Sequence, residues 1–148
     1  MNKKQKSLTN KGFSLVELII VIAIMAVLVG VLAPQYVKYL DKSKISADTQ
    51  LADSIHSAIT NTMLDPAVTA PATMSAAAKL PDASTNDFWK NVYDILGETT
   101  HDALVGDLKY DSDTTKVTIQ YQVVADNKVT VTITGGKYTT NSQVITIN

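Results

Sequence analysis

An apolar run near the N-terminus limits what this chain can fold into. Sixteen residues without a charge extend from Leu18 to Ala33, and the wider stretch 13–33 contains only two polar residues, Ser14 and Glu17. Its 21 residues would form a helix of about 30 Å, which is about the thickness of the hydrocarbon core of a bilayer. The sequence therefore predicts a helix that needs lipid or other subunits around it.

Charge is distributed unevenly around this run. Residues 1–12 contain four of the 13 lysines and no acidic residue, which leaves 9 lysines against all 14 acidic residues, a net charge of −5 for the remainder. Positive charge beside a span favours the cytoplasmic side, so the body is expected to be extracytoplasmic. An acidic body without arginine argues against a direct nucleic-acid site, and the lack of cysteine excludes disulfides and thiolate metal sites.

Three interpretations fit a basic segment followed by an apolar run. A secretory signal peptide has this order, but its apolar region is shorter, and Pro34 makes a poor cleavage site. A signal anchor explains the run and leaves Glu17 unexplained, since a carboxylate in the hydrocarbon costs about 2.5 to 3.5 kcal/mol. Cleavage after Gly12 would explain Glu17, because the new ammonium group of Phe13 on a neighbouring copy can neutralise this carboxylate.

The segment KGFSLVELIIVIAIMAVLVGVLAP, residues 11–34, resembles the start of type IV pilins and pseudopilins. The resemblance implies that a prepilin peptidase cuts between Gly12 and Phe13 and that the new amine of Phe13 is methylated. It also implies that Glu17 is the assembly carboxylate and that Pro34 interrupts the helix. The implied partners are further copies of the chain in a helical filament, the peptidase and an inner-membrane assembly machinery.

Helical periodicity continues beyond Pro34 and predicts one long helix from about Ser14 to Met63. Its softest point is expected at Gly30 to Pro34, because proline lacks an N–H and favours a kink. Apolar residues at spacings of three, four and seven predict a buried stripe of Ile45, Leu51, Ala52, Ile55, Ala58, Ile59 and Met63. The polar residues between them are expected to face solvent: Lys42, Lys44, Asp48, Asp53 and Ser57.

The remaining residues predict a small body of one short helix and a sheet. Residues 66–85, the connector, are rich in Pro, Ala and Thr, with one helical turn expected at 74–80. A capping box of Ser84 and Asp87 would start a helix that ends at Gly97 and shares an apolar face of Phe88, Val92, Ile95 and Leu96. Alternation in KVTIQYQVV and KVTVTIT predicts a hairpin around the turn ADN, and QVITIN predicts a last strand.

The expected fold is therefore α+β and type IV pilin-like, with a long kinked N-terminal helix packed on a small C-terminal antiparallel sheet. Four segments are predicted: a cleaved basic leader at 1–12, a transmembrane and filament-core helix at 13–34, an amphipathic continuation at 35–65, and a globular head at 66–148.

Catalytic and metal-binding candidates are few. His56 and His101 are isolated, and the sequence contains no triad spacing, phosphate-binding glycine loop or zinc motif, so we expect no enzyme and no cofactor. Asp107, Asp111 and Asp113 form a weak calcium candidate without the spacing of an EF-hand loop. A calcium loop known in pseudopilins supports it, but a solvated turn is the favoured interpretation.

The expected function is that of a structural subunit. After cleavage the chain would leave the plasma membrane and polymerise into a type IV pilus, a cell-surface filament for adhesion, motility and biofilm formation. One alternative is a pseudopilin of a type II secretion or competence (DNA-uptake) apparatus. An alternative of another class is a membrane-anchored extracytoplasmic binding domain or enzyme that never polymerises.

Overall fold

The computed structural model describes residues 12–74 and 76–148 in two compact units that meet at the Tyr39–Leu40 boundary. The lysines of the predicted leader lie outside the described residues. The longest element, α1, extends over Leu15–Met63, which confirms the predicted helix to within one residue. Each unit is described separately below.

The first unit contains the N-terminal part of α1. Every side chain from Gly12 to Leu40 is exposed, which confirms that this half of the helix has no partner within the described part of its own unit. The helix continues through Gly30 and Pro34 without a break. Because Pro34 has no N–H, the carbonyl of Gly30, four residues earlier, has no helical donor there. The kink at this point remains a prediction.

The second unit combines the end of α1 with a four-stranded antiparallel sheet. The strands are β1 (Ala78–Lys79), β2 (Val117–Val123), β3 (Val129–Gly135) and β4 (Ile145–Ile147), and they lie side by side in sequence order. Three shorter helices complete the unit: α2 (Asp87–Leu96), α3 (His101–Asp107) and α4 (Gly136–Thr140). The predicted α+β class is therefore confirmed, whereas α3 and α4 carried no sequence signal that we recognised.

The hairpin of β2 and β3 follows the predicted alternation. Every second residue of both strands is buried, and Ile119 pairs with Ile133 while Tyr121 pairs with Val131. The turn between them, Ala125–Asn127, has positive φ at Asp126 and Asn127, which these short polar side chains tolerate better than most. The hairpin and its turn are confirmed.

One hydrophobic core joins this sheet to α1 and α2. The predicted stripe supplies four buried residues, Ala52, Ile55, Ala58 and Ile59, and three partly buried ones, Ile45, Leu51 and Met63. They pack with the inward residues of β2 and β3 in a single cluster. The stripe was correctly predicted.

Asp48 was predicted to face solvent, and this prediction is wrong. The residue is 1% exposed, and its carboxylate accepts hydrogen bonds from the backbone N–H of Lys109 (2.6 Å), that of Tyr110 (2.9 Å) and the hydroxyl of Tyr138 (2.7 Å). Its position, four residues before Ala52, puts it on the buried face. Three donors compensate for the desolvation of the carboxylate, and burial together with Asp48 raises the pKa of Tyr138.

The helical turn predicted at 74–80 is also wrong. Ala78–Lys79 instead forms β1 and pairs with β2, with Ala78 opposite Tyr121, and the N–H of Met74 donates to the carbonyl of Val123 at 2.7 Å. Residue 75 lies outside the described residues. Backbone pairing with an open strand edge therefore overrides the helix propensity of the alanines.

Helix α2 is capped and oriented differently from the prediction. Asn86, and not Ser84, is the N-cap, since its side chain accepts a hydrogen bond from the N–H of Trp89 at 3.0 Å. Ile95 is 58% exposed, so its predicted burial is wrong. The buried face consists of Phe88, Trp89, Val92 and Tyr93. The predicted stop at Gly97 is confirmed, with φ of 77° and its N–H donating to the carbonyl of Tyr93.

We expect Asp48→Ala to lower the free energy of unfolding by about 3 kcal/mol, because it leaves three donors without an acceptor, two of them buried. Tyr138→Phe removes one donor and is expected to cost about 1 kcal/mol. Urea unfolding of the full chain in detergent, followed by fluorescence of the buried Trp89, measures both. The control is Asp53→Ala, an exposed position on the same helix, with an expected change below about 0.5 kcal/mol. Equal effects at positions 48 and 53 would contradict the buried cluster.

Candidate functional site

The candidate site is the exposed apolar surface at the start of α1. The described residues contain one helix, α1, that is long enough and apolar enough to span a membrane, judged by length and composition. Its large apolar side chains are all exposed from Leu15 to Leu32. Burying one such side chain gains about 1.5 to 3 kcal/mol, so the whole surface strongly favours an apolar environment. A single copy in water cannot provide it.

Glu17 lies in the first turn of this helix and has a partner in its own chain. The backbone N–H of Ser14 donates to Glu17 Oε2 at 2.8 Å, and the helix begins at Leu15. Glu17 follows Ser14 by three residues, and its carboxylate accepts from the N–H of the N-cap residue. The glutamate of a capping box makes this contact. The negative charge also lies favourably at the positive end of the helix dipole.

The capping role of Glu17 was missed at the level of sequence, although Ser14-Leu-Val-Glu17 carries the signal. The prediction assigned the carboxylate an intermolecular role alone. In the structure it has one backbone donor and remains exposed to further partners. Glu17 is therefore able to stabilise the helix start and to accept a cation from outside the chain.

Gly12 and Phe13 precede the helix in an open environment. Phe13 is 93% exposed, and a Cβ placed on Gly12 would meet no atom within 4 Å. The local structure therefore places no demand for glycine at this position.

Gly30 and Pro34 are separated by one helical turn. A Cβ on Gly30 would likewise meet no atom within 4 Å, so no neighbour in the described part of the chain needs the missing side chain. Glycine inside a helix costs about 1 kcal/mol relative to alanine. Close approach of another helix at this point would offset that cost.

The three acidic residues of the calcium candidate take separate positions. Asp107 is exposed at the end of α3, and Asp111 Oδ2 accepts a hydrogen bond from the N–H of Lys137 at 2.8 Å. Asp113 accepts from the backbone and hydroxyl of Thr115 and from Lys116 Nζ. Within residues 12–74 and 76–148, no three metal-ligating side chains converge. Calcium binding remains a prediction.

The two histidines are parts of the body. His101 is buried, and its Nε2 accepts from the N–H of Ile119 at 3.1 Å, so the proton lies on Nδ1, which donates to Asp102 Oδ1 at 3.0 Å. This hydrogen bond is the main cause of the lowered pKa of Asp102. His56 is half-buried, with Nε2 3.1 Å from the carbonyl of Val129.

A cleft of about 410 Å³ lies between the connector and the start of α2. Its walls are Ala67–Pro71, Asn86, Asp87, Phe88, Trp89 and Tyr121. Asp87 is its one titratable carboxylate, and neither histidine lines it.

Comparison with known proteins decides the family. Residues 8–33 match the family model described as the prokaryotic N-terminal methylation motif. A fimbrial protein of Moraxella nonliquefaciens is 31% identical over 107 residues, which cover 72% of this chain and 69% of that protein. The chain belongs to the type IV pilin and pseudopilin family.

A second relative matches the pilin-family chain over a shorter region. The type IV major fimbrial protein FimA of Dichelobacter nodosus is 40% identical over 55 residues, or 37% of this chain and 35% of FimA. No solved structure matches the chain. The family comparison confirms the resemblance that residues 11–34 indicated, and the pilin-like long helix and small sheet agree with it.

We expect the carboxyl group of Asp113 to titrate with a pKa of about 2, below its ordinary 3.8, because Lys116 and Thr115 donate to its ionised form. A lowered pKa in the folded state means that this contribution to stability is full above pH 3.8 and is lost as the pH falls towards 2. NMR titration of the side-chain carbonyl carbon measures it. Thr115→Ala is expected to raise the pKa, and Thr114→Ala is the control. An unchanged pKa in Thr115→Ala would contradict this assignment.

Proposed function

We propose that this chain is a structural subunit of a type IV pilus, made as a membrane-anchored precursor and cleaved between Gly12 and Phe13. Its N-terminal helix then leaves the bilayer and packs against the helices of other copies in a surface filament. Adhesion, motility and biofilm formation are the proposed uses of this filament. The observation that carries the proposal is the exposed apolar face of α1, preceded directly by Gly12-Phe13 and with Glu17 in its first turn.

The role of Glu17 follows from the cost of a charge near hydrocarbon. A carboxylate in the bilayer costs about 2.5 to 3.5 kcal/mol, and the Ser14 N–H supplies one hydrogen bond without a compensating charge. Cleavage creates an ammonium group on Phe13. In a staggered array, the ammonium of one copy can approach the Glu17 carboxylate of the next, so that both charges are neutralised. Such a pair fixes register more than it adds affinity.

Two alternative functions remain in competition. A pseudopilin of a secretion or DNA-uptake apparatus would use the same helix and processing and would form a short fibre, so electron microscopy of the cell surface distinguishes it by filament length. The similarity to FimA, a major fimbrial protein, favours the pilus. A membrane-anchored binding domain or enzyme requires no cleavage at Gly12-Phe13. The open environment of Gly12 favours a processed chain over it.

We expect the mature protein to begin at Phe13 with a methylated amine, as N-terminal sequencing and intact mass would establish. Gly12→Val is expected to leave uncleaved precursor without disturbing the fold, because the position is open. Gly106→Val is the matched control, since its surroundings are equally open and it should be processed normally. Maturation at any other bond would contradict the proposal.

Two substitutions of Glu17 separate its charge from its capping role. Glu17→Gln keeps an oxygen for the Ser14 N–H and removes the charge, whereas Glu17→Ala removes both. An unpaired buried ammonium costs about 3 to 5 kcal/mol per contact, so we expect filament yield to fall at least about tenfold in both variants. Both should still enter the membrane. Purified surface filaments, quantified against Asp53→Asn as control, give the measurement.

The pattern of yields decides between the two roles. If Glu17→Gln assembles normally and Glu17→Ala does not, the capping hydrogen bond is the essential feature and the ion pair is refuted. If both variants assemble normally, Glu17 has no part in assembly.

A further inference from the structure

The aromatic residues of the chain divide sharply into buried and exposed ones. Six are buried in the second unit: Phe88, Trp89, Tyr93, Tyr110, Tyr121 and Tyr138. The other three are exposed: Phe13, Tyr36 at 63% and Tyr39 at 71%. These three flank the apolar stretch 13–33, with Phe13 at its start and the two tyrosines just beyond its end. Exposed tyrosine thus occurs only beside the candidate span.

The spacing along the helix agrees with the dimensions of a bilayer. Tyr36 follows Phe13 by 23 residues, which is about 35 Å along a helix, and Tyr39 lies about 4.5 Å further. The hydrocarbon core is about 30 Å thick, and the bilayer with its headgroup regions is about 40 to 45 Å thick. With Glu17 at one boundary of the hydrocarbon, Tyr36 lies about 29 Å away at the other boundary, and Tyr39 lies about 33 Å away in the adjoining headgroup region.

Lys38 completes this group on another side of the helix. It is exposed, and at about 100° per residue it lies about 160° around the axis from Tyr36, whereas Tyr39 lies about 60° from Tyr36. The three side chains therefore lie within an arc of about 160°, and they are only about 4.5 Å apart along the helix axis. A common level at the end of the span fits a headgroup layer.

We propose that Tyr36, Lys38 and Tyr39 form an interfacial belt that binds phospholipid headgroups at the extracytoplasmic surface of the membrane. This inference rests on the proposed membrane-anchored precursor. Each tyrosine ring lies at the boundary of the acyl chains with its hydroxyl among phosphates and water. The stem of Lys38 extends along the apolar layer, and its ammonium group binds a phosphate.

The belt determines the depth of the unassembled helix. An apolar run alone permits sliding and tilting at little cost. Tyr36 follows Glu17 by 19 residues, or about 29 Å, which nearly equals the hydrocarbon thickness. Headgroup binding at Tyr36 therefore holds Glu17 at the opposite boundary of the hydrocarbon and prevents its entry into the core. The subunit is kept at the depth where its carboxylate is accessible to the next ammonium group.

Because the chain contains no cysteine, a spin label can be attached at a single introduced cysteine to measure depth. A nitroxide on Gln35→Cys in the uncleaved full chain is placed in phosphatidylcholine vesicles containing phosphatidylglycerol. Its relative accessibility to oxygen and to a nickel chelate gives its depth. With the belt intact, we expect the probe at the headgroup boundary. In the triple variant Tyr36→Leu, Lys38→Gln, Tyr39→Leu, we expect a shift of about 5 Å, or one helical turn.

Two further variants keep the test specific. Tyr36→Trp with Tyr39→Trp retains ring and polar tip and should leave the depth unchanged. Lys90→Gln, an exposed lysine of the body, is the control for lysine loss and should also leave it unchanged. An unchanged depth in the triple variant would overturn the belt. If that variant keeps its depth and loses filaments in cells, the tyrosines are contacts between subunits and the proposal is equally overturned.

The failure of the belt and that of the proposed function are distinguishable. The vesicles contain uncleaved subunit without assembly machinery, so the depth does not depend on polymerisation. Absence of filaments in cells would contradict the proposal that the chain is a pilus subunit and would not affect the depth measurement. An unchanged probe depth in the triple variant would contradict this inference and would not affect the proposal that the chain is a pilus subunit.

Discussion

The apolar side chains from Leu15 to Leu32 have no partner within the described part of their own unit, and this constraint shapes the rest of the molecule. A helix of this kind is stable only among lipid tails or other apolar helices. The second unit does not require such surroundings, because it has a hydrophobic core of its own between α1, α2 and the sheet. The chain therefore consists of one unit that folds upon itself and one that requires an environment.

Two carboxylates on the same helix illustrate the difference. Asp48 receives three donors from its own unit and is nearly inaccessible to solvent. Glu17 receives one, from the N–H of Ser14, and remains exposed. A buried carboxylate that accepts all its hydrogen bonds from its own fold has a structural role, as Asp48 does. One with a single neutral donor keeps the capacity to bind a cation from outside the chain.

The sequence predicted those features that depend on local pattern. The bounds of α1, the stripe from Ile45 to Met63 and the hairpin of β2 and β3 follow from periodicity alone, which tertiary contacts left unchanged. Asp48 was misassigned because residue type was given more weight than position, although its spacing from Ala52 indicated burial. The edge pairing of β1 and the choice of Tyr93 over Ile95 depend on partners distant in sequence, which no local pattern reveals.

For the candidate site, the sequence was informative because the proposed function uses an exposed linear segment. Gly12, Phe13 and Glu17 lie within six residues, so no folding is needed to bring them together. The capping bond between Ser14 and Glu17 was equally local and was overlooked only because the carboxylate had already been given a role. A site assembled from distant loops, such as the cleft beside Trp89, offers no comparable signal.

The apolar surface of α1 cannot by itself decide whether a subunit stays in the membrane or joins a filament. Lipid tails and neighbouring helices are similarly apolar, so the exchange of one for the other brings little hydrophobic gain. The balance must therefore depend on packing and on the few polar groups at the two ends of the span. At one end, Glu17 would gain the proposed ammonium partner only in the assembled state. At the other, Tyr36, Lys38 and Tyr39 would lose headgroup contacts on leaving the bilayer. Opposed polar contacts at the ends of a neutral apolar helix make both states accessible to the same chain.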